Sequence, residues 1–391
     1  MRVQPIGAEP GRRYNYRVTE NSAKVEVGGR PARARDRVYK WLLPMRTGTR
    51  RLSTLTALAV VATVLASCGG HTKTDSPPPS GAPTGRWSVV VTQNHPSARR
   101  AAVMAYDQQS GQLILFGGDN GSGLLGDTWS WDGGSWTQLH PTTSPSPRDL
   151  SAMAYSPATG GLVLFGGRGS SGPLDDTWIW EGATWRELSP SQSPPPRFNS
   201  QMSEIPGTPN DLLFSGDGNT VLTDTWIWSG ATWQQAHSTT HPTQFLGGVM
   251  EPDGSQVLLT GESSSTDSPS NWTWAKGTWS AVRASPTPPA ASGLSGAILP
   301  GNQGALTVGG LVESGNPQTG QTWLFTQGQW HQGRGKDTSP PLIAASAALD
   351  EHTGVVILFG GYSTSLTSSP PDTLSSDTWV YRPPQSSHSS T

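Results

Sequence analysis

The stretch that decides the fold runs from Pro147 to Leu188, PRDLSAMAYSPATGGLVLFGGRGSSGPLDDTWIWEGATWREL. It holds four short apolar runs. Leu150 to Tyr155 reads as a strand, closed by Ser-Pro-Ala-Thr-Gly-Gly. Leu162 to Phe165 reads as a second, stopped by Gly166 and Gly167. Thr177 to Trp180 and Trp185 to Leu188 read as a third and fourth, separated by Glu-Gly-Ala-Thr. Each run is too short for a helix, rich in β-branched and aromatic residues, and bounded by Gly or Pro. The pattern predicts a four-stranded antiparallel meander.

The same unit returns about every fifty residues. Phe116-Gly117-Gly118 recurs at Phe165-Gly166-Gly167 and Phe359-Gly360-Gly361, with degenerate copies at Phe214-Ser215-Gly216, Leu259-Thr260-Gly261 and Val308-Gly309-Gly310. The third-strand aromatic pair keeps the beat at Trp129/Trp131, Trp178/Trp180, Trp226/Trp228, Trp272/Trp274, Trp323/Phe325 and Trp379/Tyr381. A further Trp follows at 136, 185, 233, 279 and 330. The sixth copy has no such Trp at its end. Gly85-Arg86-Trp87-Ser88-Val89-Val90 resembles the missing fourth strand, so the first strand is expected to complete the last sheet. Closure of that kind removes the exposed edges of an open array.

The double glycine, the Asp-Thr-Trp before the third strand and the Trp of the fourth resemble the Kelch repeat family, close to its galactose-oxidase-like bacterial form. The resemblance implies an all-β fold, a six-bladed β-propeller of four-stranded antiparallel blades spanning residues 86–382.

Composition agrees with a packed domain. Gly and Pro number 47 and 34, short of a low-complexity chain, and 17 Trp supply core. Charge is uneven. Residues 1–67 carry 13 Lys and Arg against 4 Asp and Glu, whereas residues 68–391 carry 13 against 24. An acidic domain of this kind keeps itself soluble and is a poor match for nucleic acid, which needs a basic face.

From Met45 the sequence MRTGTRRLSTLTALAVVATVLASCGG has a basic start at Arg46, Arg50 and Arg51 and an apolar run from Leu52 to Ala66. The run falls short of the roughly 20 residues of a spanning helix, so 45–67 reads as a secretory leader. Leu65-Ala66-Ser67-Cys68 resembles the bacterial lipoprotein box, which implies a diacylglyceryl group on the Cys68 sulfur and cleavage before it. Cys68 is the single cysteine, so no intrachain disulfide can form. Residues 1–44 are Arg-rich, polar and unlike a leader, and translation is expected to begin at Met45. Residues 68–85 read as a Pro/Ser/Gly tether and 383–391 as a disordered tail. The expected location is extracytoplasmic, anchored to the bacterial cell membrane, and the expected state is a monomer.

In a meander the short one–two and three–four turns share one face of the ring, and the longer two–three and four–one loops share the other. Variable loops on a rigid scaffold are the usual place for binding. Arg99, Arg148 and Arg197 open the inner strands of the early copies, where Gln244, Ala290 and Leu342 stand later. Asp119, Arg168, Asp217, Glu262, Leu311 and Tyr362 follow the double-glycine position. Arg99, Asp119, Arg148, Arg168, Arg197, Asp217 and Glu262 are therefore the candidate ligand-binding residues, suited to a protein or carbohydrate. A structural reading competes for the arginines. The copies that hold them also keep Asp127, Asp176 and Asp224, while copies four and five have Ser270 and Gln321 there. The sixth keeps Asp377 without an Arg. The Trp side chains sit at repeated strand positions and read as inter-blade packing rather than sugar stacking.

No cofactor is expected. The copper–radical chemistry of galactose oxidase needs a Cys–Tyr thioether, and the only Cys lies in the lipoprotein box. No His-Glu-x-x-His, spaced acidic calcium loop or Gly-x-Ser-x-Gly occurs, and His237 and His241 lie beside Pro242 in a loop. The expected function is binding or scaffolding of a protein or glycan. The alternative is a sugar-active propeller enzyme with an acid–base pair in the channel.

Overall fold

The computed structural model describes residues 85–383, apart from 243–244, 264–270, 284–287, 289–290, 303, 313–320, 334–337 and 365–371. The 1–44 extension, the leader, Cys68, the tether up to 84 and the tail from 384 lie outside the described residues.

Six four-stranded antiparallel sheets form a six-bladed β-propeller. Strand β1 (Arg86–Val90) comes first. Blade one is β2–β5 (Val103–Asp107, Gln112–Phe116, Thr128–Trp131, Trp136–Leu139). Blade two is β6–β9 (Ala152–Ser156, Gly161–Gly169, Gly172–Trp180, Trp185–Leu188), and blade three is β10–β13 (Gln201–Glu204, Asp211–Asp217, Val221–Trp228, Trp233–Ala236). Blade four is β14–β17 (Phe245–Asp253, Gln256–Ser263, Asn271–Ala275, Thr278–Ala281), and blade five is β18–β21 (Ala291–Ile298, Ala305–Val312, Thr322–Thr326, Gln329–Gln332). Blade six takes β22 (Ser346–Asp350), β23 (Val355–Phe359) and β26 (Thr378–Arg382), with the hairpin β24–β25 (Tyr362–Thr364, Asp372–Leu374) inserted. Each inner strand packs on its two neighbours, and β22 returns to β2, which closes the ring.

Closure happens as the sequence predicts. β1 pairs with β26 from Arg86↔Arg382 to Val90↔Thr378 and so becomes the outer strand of blade six. Trp87 then does what four of the five other fourth-strand tryptophans do. Its indole donates to Thr322 of blade five at 3.0 Å. Trp136 donates likewise to Thr378, Trp185 to Thr128, Trp233 to Thr177 and Trp279 to Thr225, at 2.9–3.0 Å. The acceptor is the Thr that precedes the first Trp of the third strand, one blade back, within Asp-Thr-Trp in four cases and Gln321-Thr322-Trp323 in blade five. Each Trp ring also lies against the second aromatic of its own blade, as Trp180–Trp185 at 5.3 Å. Trp136, Trp185, Trp233 and Trp279 also lie against the Phe of the preceding blade, as Phe116–Trp185 at 5.3 Å. Burying such a ring stabilises by about 1.5–3 kcal/mol.

The double glycine has a steric cause. Gly117 has φ +71°, and a Cβ there would sit 2.5 Å from the Arg148 carbonyl of the next blade. Gly118 N–H donates to that same carbonyl at 2.8 Å, a bond repeated by Gly167 to Arg197 and Gly361 to Arg99. Ser215 holds the first glycine's place in blade three, still at φ 65°.

Three expectations shift. The pairing Thr260↔Asn271 matches Phe116↔Thr128, so Thr260 rather than Leu259 takes the Phe place and Glu262 takes that of the second glycine. A single glycine in that copy hid the offset. In blade five Ser292↔Leu311 matches the bridge Arg100↔Asp119, which puts Ala291, not Ala290, in the arginine position. In blade two the stretch expected as a variable loop continues the ladder through Gly167↔Leu174, Arg168↔Pro173 and Gly169↔Gly172.

Candidate functional site

Arg99, Arg148 and Arg197 are at most 1% exposed. All five donors of Arg99 are used. Nε donates to the Ser97 carbonyl, Nη1 to the Gly117 carbonyl and Asp127, and Nη2 to Asp127 and the Ser97 hydroxyl, at 2.7–3.0 Å. Arg148 repeats the set with Ser146, Gly166 and Asp176. Arg197 repeats it with Ser215 and Asp224 and the carbonyl of Pro195, which has no hydroxyl to offer. The bidentate ion pairs measure 2.6–2.9 Å, the strong geometry for this pair type. Each aspartate also accepts from the indole two residues on, Trp129, Trp178 and Trp226, at 2.7 Å. Burial alone would push these carboxyls up, but the arginine and indole bonds outweigh it and hold all three below the usual carboxylate range. These arginines tie the entry of the inner strand to the third strand of the same blade. Asp377 of blade six, with Leu342 in place of Arg, is exposed instead.

The residue after each arginine reaches the loop-bearing mouth. Arg100 pairs with Asp119 at 3.1 Å. In blade two the charges are exchanged, with Asp149 and Arg168 at 2.5 Å. In blade three Phe198 bridges Asp217 through the backbone. Arg100 lies over the Tyr362 ring and Arg168 over the Phe198 ring, each at 5.6 Å. Asp149 is buried, and burial raises its carboxyl even though the Arg168 bond opposes it. Asp119, Arg168 and Asp217 thus share one arc with Tyr362. Glu262 lies on the backbone of the same mouth in blade four, and its side chain is outside the described residues. The left-handed residues Asn199, Leu150, Ala101, Ala344 and Gly293 pass backbone N–H···O bonds from blade to blade under this arc, at 2.8–3.0 Å.

Sequence reasoning missed the other mouth. A cavity of about 500 Å³ opens there, walled by the far ends of the inner strands. Tyr106, Tyr155, Glu204, Glu251 and Glu351 line it with Met104, Met153 and Met202. Its neighbour along the axis, about 150 Å³, is lined by all six inner strands. Burial pushes Glu251 up to about 8, against a backbone bond from Ile298 and with a smaller push from Glu204. Glu251 keeps some surface toward the cavity while protein surrounds it on every other side. Burial also raises Glu204, with Glu351 adding to it, and raises Glu351. Tyr106 and Tyr155 are raised by burial first and by the carboxylates around them second. Register comparison between copies is the one signal that could have found this mouth. Glu204 stands where blades one and two have Tyr106 and Tyr155, and Glu251 stands where they have Ala105 and Ala154.

Residues 56–261 match the KLHDC2/KLHL20/DRC7 Kelch-repeats domain, a span of more than half the chain. The chain belongs to the Kelch-repeat family. The matched span takes in blades one to three and ends in β15 of blade four, so it includes every Arg–Asp tie of the Kelch ring described above. No curated protein matches the chain.

Proposed function

We propose that this Kelch propeller is a lipid-anchored, extracytoplasmic, monomeric module that binds a protein or glycan at its loop-bearing mouth. The arc there carries the reading. Arg100, Asp119 and Arg168 keep 15%, 10% and 19% of their side-chain surface open. They are held rigid by one another, and the rings of Tyr362 and Phe198 flank them. Fixed donors, acceptors and aromatic edges suit hydroxyls and peptide groups, and a site already ordered loses little entropy on binding. Arg99, Arg148 and Arg197 serve this site by fixing the strand entries beneath it. The anchor is supported by the basic, apolar and Leu-Ala-Ser-Cys sequence ending at Cys68. The tether that follows would reach about 50 Å at polyproline spacing.

Glycan and peptide arrays probed with the full chain test the binding. The wild type should retain members that the double variant Arg100→Gln/Asp217→Asn releases. Equal retention, or no retention by the wild type on either array, would overturn the reading. The sugar-active alternative has one observation behind it, the enclosed Glu251 facing the channel. Turnover of a neutral sugar that disappears in Glu251→Gln would favour it.

A further inference from the structure

The repeat provides its own standard for what the narrow mouth should contain. At the two positions nearest the far end of the inner strand, the copies otherwise carry Tyr106, Tyr155, Pro252, Ile298 and Leu349 at one, and Ala105, Ala154, Ser203, Ala297 and Ala348 at the other, none of them charged. Blades three and four depart from this with Glu204 and Glu251, and both departures open into the same cavity. Glu351, from the turn of blade six, joins them. A local choice that breaks the pattern without stabilising the fold marks a functional position. Here the choice puts carboxylates from different blades into one protein-walled space, and among the described residues no Lys, Arg or His lines it.

We propose that this cavity is a binding site for a small organic cation, an aliphatic amine or polyamine. Three features select that class. The carboxylates come from three different blades and attract positive charge. The rings of Tyr106 and Tyr155 offer faces to an alkylammonium group, and the three methionines offer a soft apolar wall to its methylenes. A volume of about 500 Å³ lies in the ordinary range for a small-molecule site. A bare metal ion fits less well, because among the described residues no three His, Cys, Asp or Glu side chains converge closely enough to ligate one. The site is on the opposite mouth from the arc of the proposed function, so the two stand or fall separately.

Because burial holds Glu251 up to about 8, most of it is protonated at neutral pH, and a bound cation would drive that proton off. Other titratable or charged groups around it are Glu204, Glu351, Tyr106 and Tyr155 in the cavity, with Asp107, Asp350 and His352 behind the tyrosines. Among the described residues, the titratable side chains that line the cavity are all acids, so no lining group reverses the sign. Binding should strengthen with rising pH and release protons.

Calorimetric titration of the full chain with spermidine at pH 6.5 and 8.5, in buffers of different ionisation enthalpy, reads this directly. The wild type should bind at least tenfold more tightly at pH 8.5 and release protons at pH 6.5. Glu204→Gln/Glu251→Gln should weaken binding at least tenfold, whereas Glu181→Gln, on an exposed outer turn, should not change it. Should the double variant melt early, Glu351→Gln and Tyr155→Leu, which removes the ring face, replace it, each expected to weaken binding severalfold. Absence of heat with spermidine, unchanged binding in the cavity variants, equal loss in Glu181→Gln, or stronger binding of a neutral hexose than of spermidine would overturn the proposal.

Discussion

The Arg148–Asp176 tie can be taken apart one partner at a time, and the two halves are not equivalent. Arg148 is 1% exposed and Asp176 21%. Asp176→Gln removes the bidentate anion and leaves a buried guanidinium with no counter-charge. Breaking a buried pair in this way costs about 3–5 kcal/mol. Arg148→Leu is milder, because Asp176 can turn to water as Asp377 does beside Leu342. What remains is the loss of donors to the Gly166 and Ser146 carbonyls, about 1–3 kcal/mol. The double variant Arg148→Leu/Asp176→Gln borrows Leu from blade six and Gln from blade five. There Gln321 still accepts the Trp323 indole, at 3.2 Å. It should fall about 1–3 kcal/mol below wild type, the cost of the lost carbonyl donors alone, because no charge is left buried alone. Thermal unfolding followed by Trp fluorescence should place Asp176→Gln roughly 10 °C below wild type, at the few degrees per kcal/mol of a large domain. A loss under about 2 °C for Asp176→Gln, or a double variant as unstable as the two singles added, would refute the account of these arginines as ties within a blade.

Asp211 is fully buried in the slot that Leu113 and Leu162 fill in blades one and two. Neither of its oxygens has a hydrogen-bond partner, and burial pushes it up to about 8, against a weak approach of the Ser156 hydroxyl. The unfolded chain loses this proton near pH 4, so stability should fall between about pH 4 and pH 8 as the native protein retains it, by about 4 kcal/mol at pH 7. Asp211→Asn should reduce that slope in melts taken from pH 5 to 9, with Glu251 supplying a remainder of the same sign, and an unchanged slope would count against it. Deleting Arg86 to Val91 should expose β26 as an edge, lower the melting temperature of the whole ring and promote association. An unaltered, monomeric melt would contradict closure. Fatty-acid-analogue labelling should mark the wild type and not Cys68→Ser, which keeps the leader's charge and apolar run but lacks the sulfur. Equal label in both, or none in wild type, would sink the lipoprotein reading.

The features set by the repeat were legible because each has a single steric or hydrogen-bonding cause. Gly-Gly marks the contact with the next blade's carbonyl, Trp marks the socket between blades, and Thr marks the indole's acceptor. Closure by β1 followed from one missing Trp. Where a copy erodes its markers, the register slips by one, as at Thr260 and Ala291. For the arginines the sequence left two roles open, a ligand contact or a tie to Asp127, Asp176 and Asp224; the co-occurrence of those aspartates pointed to the tie, and the four–one loop that aims each guanidinium at its aspartate is what the structure adds. The acidic cavity was hidden for a different reason. Glu204, Glu251 and Glu351 are distant in sequence and unlike in repeat position, and only the circular return of the inner strands brings them to one axis.

That circular arrangement is not uniform. Blades one to three each carry a buried Arg–Asp tie. Blade four offers Asn271 where the others have Thr, and its oxygen is occupied by the Thr260 hydroxyl. The Trp330 indole of blade five, which should dock there, has no hydrogen-bond partner. A buried donor left unmade costs about 1–3 kcal/mol, and the joint between blades four and five lacks the indole–Thr bond that the other five joints make. Local opening follows the least stable contact, and this missing bond favours opening there. The charged arc lies on the tied blades, none of which forms that joint.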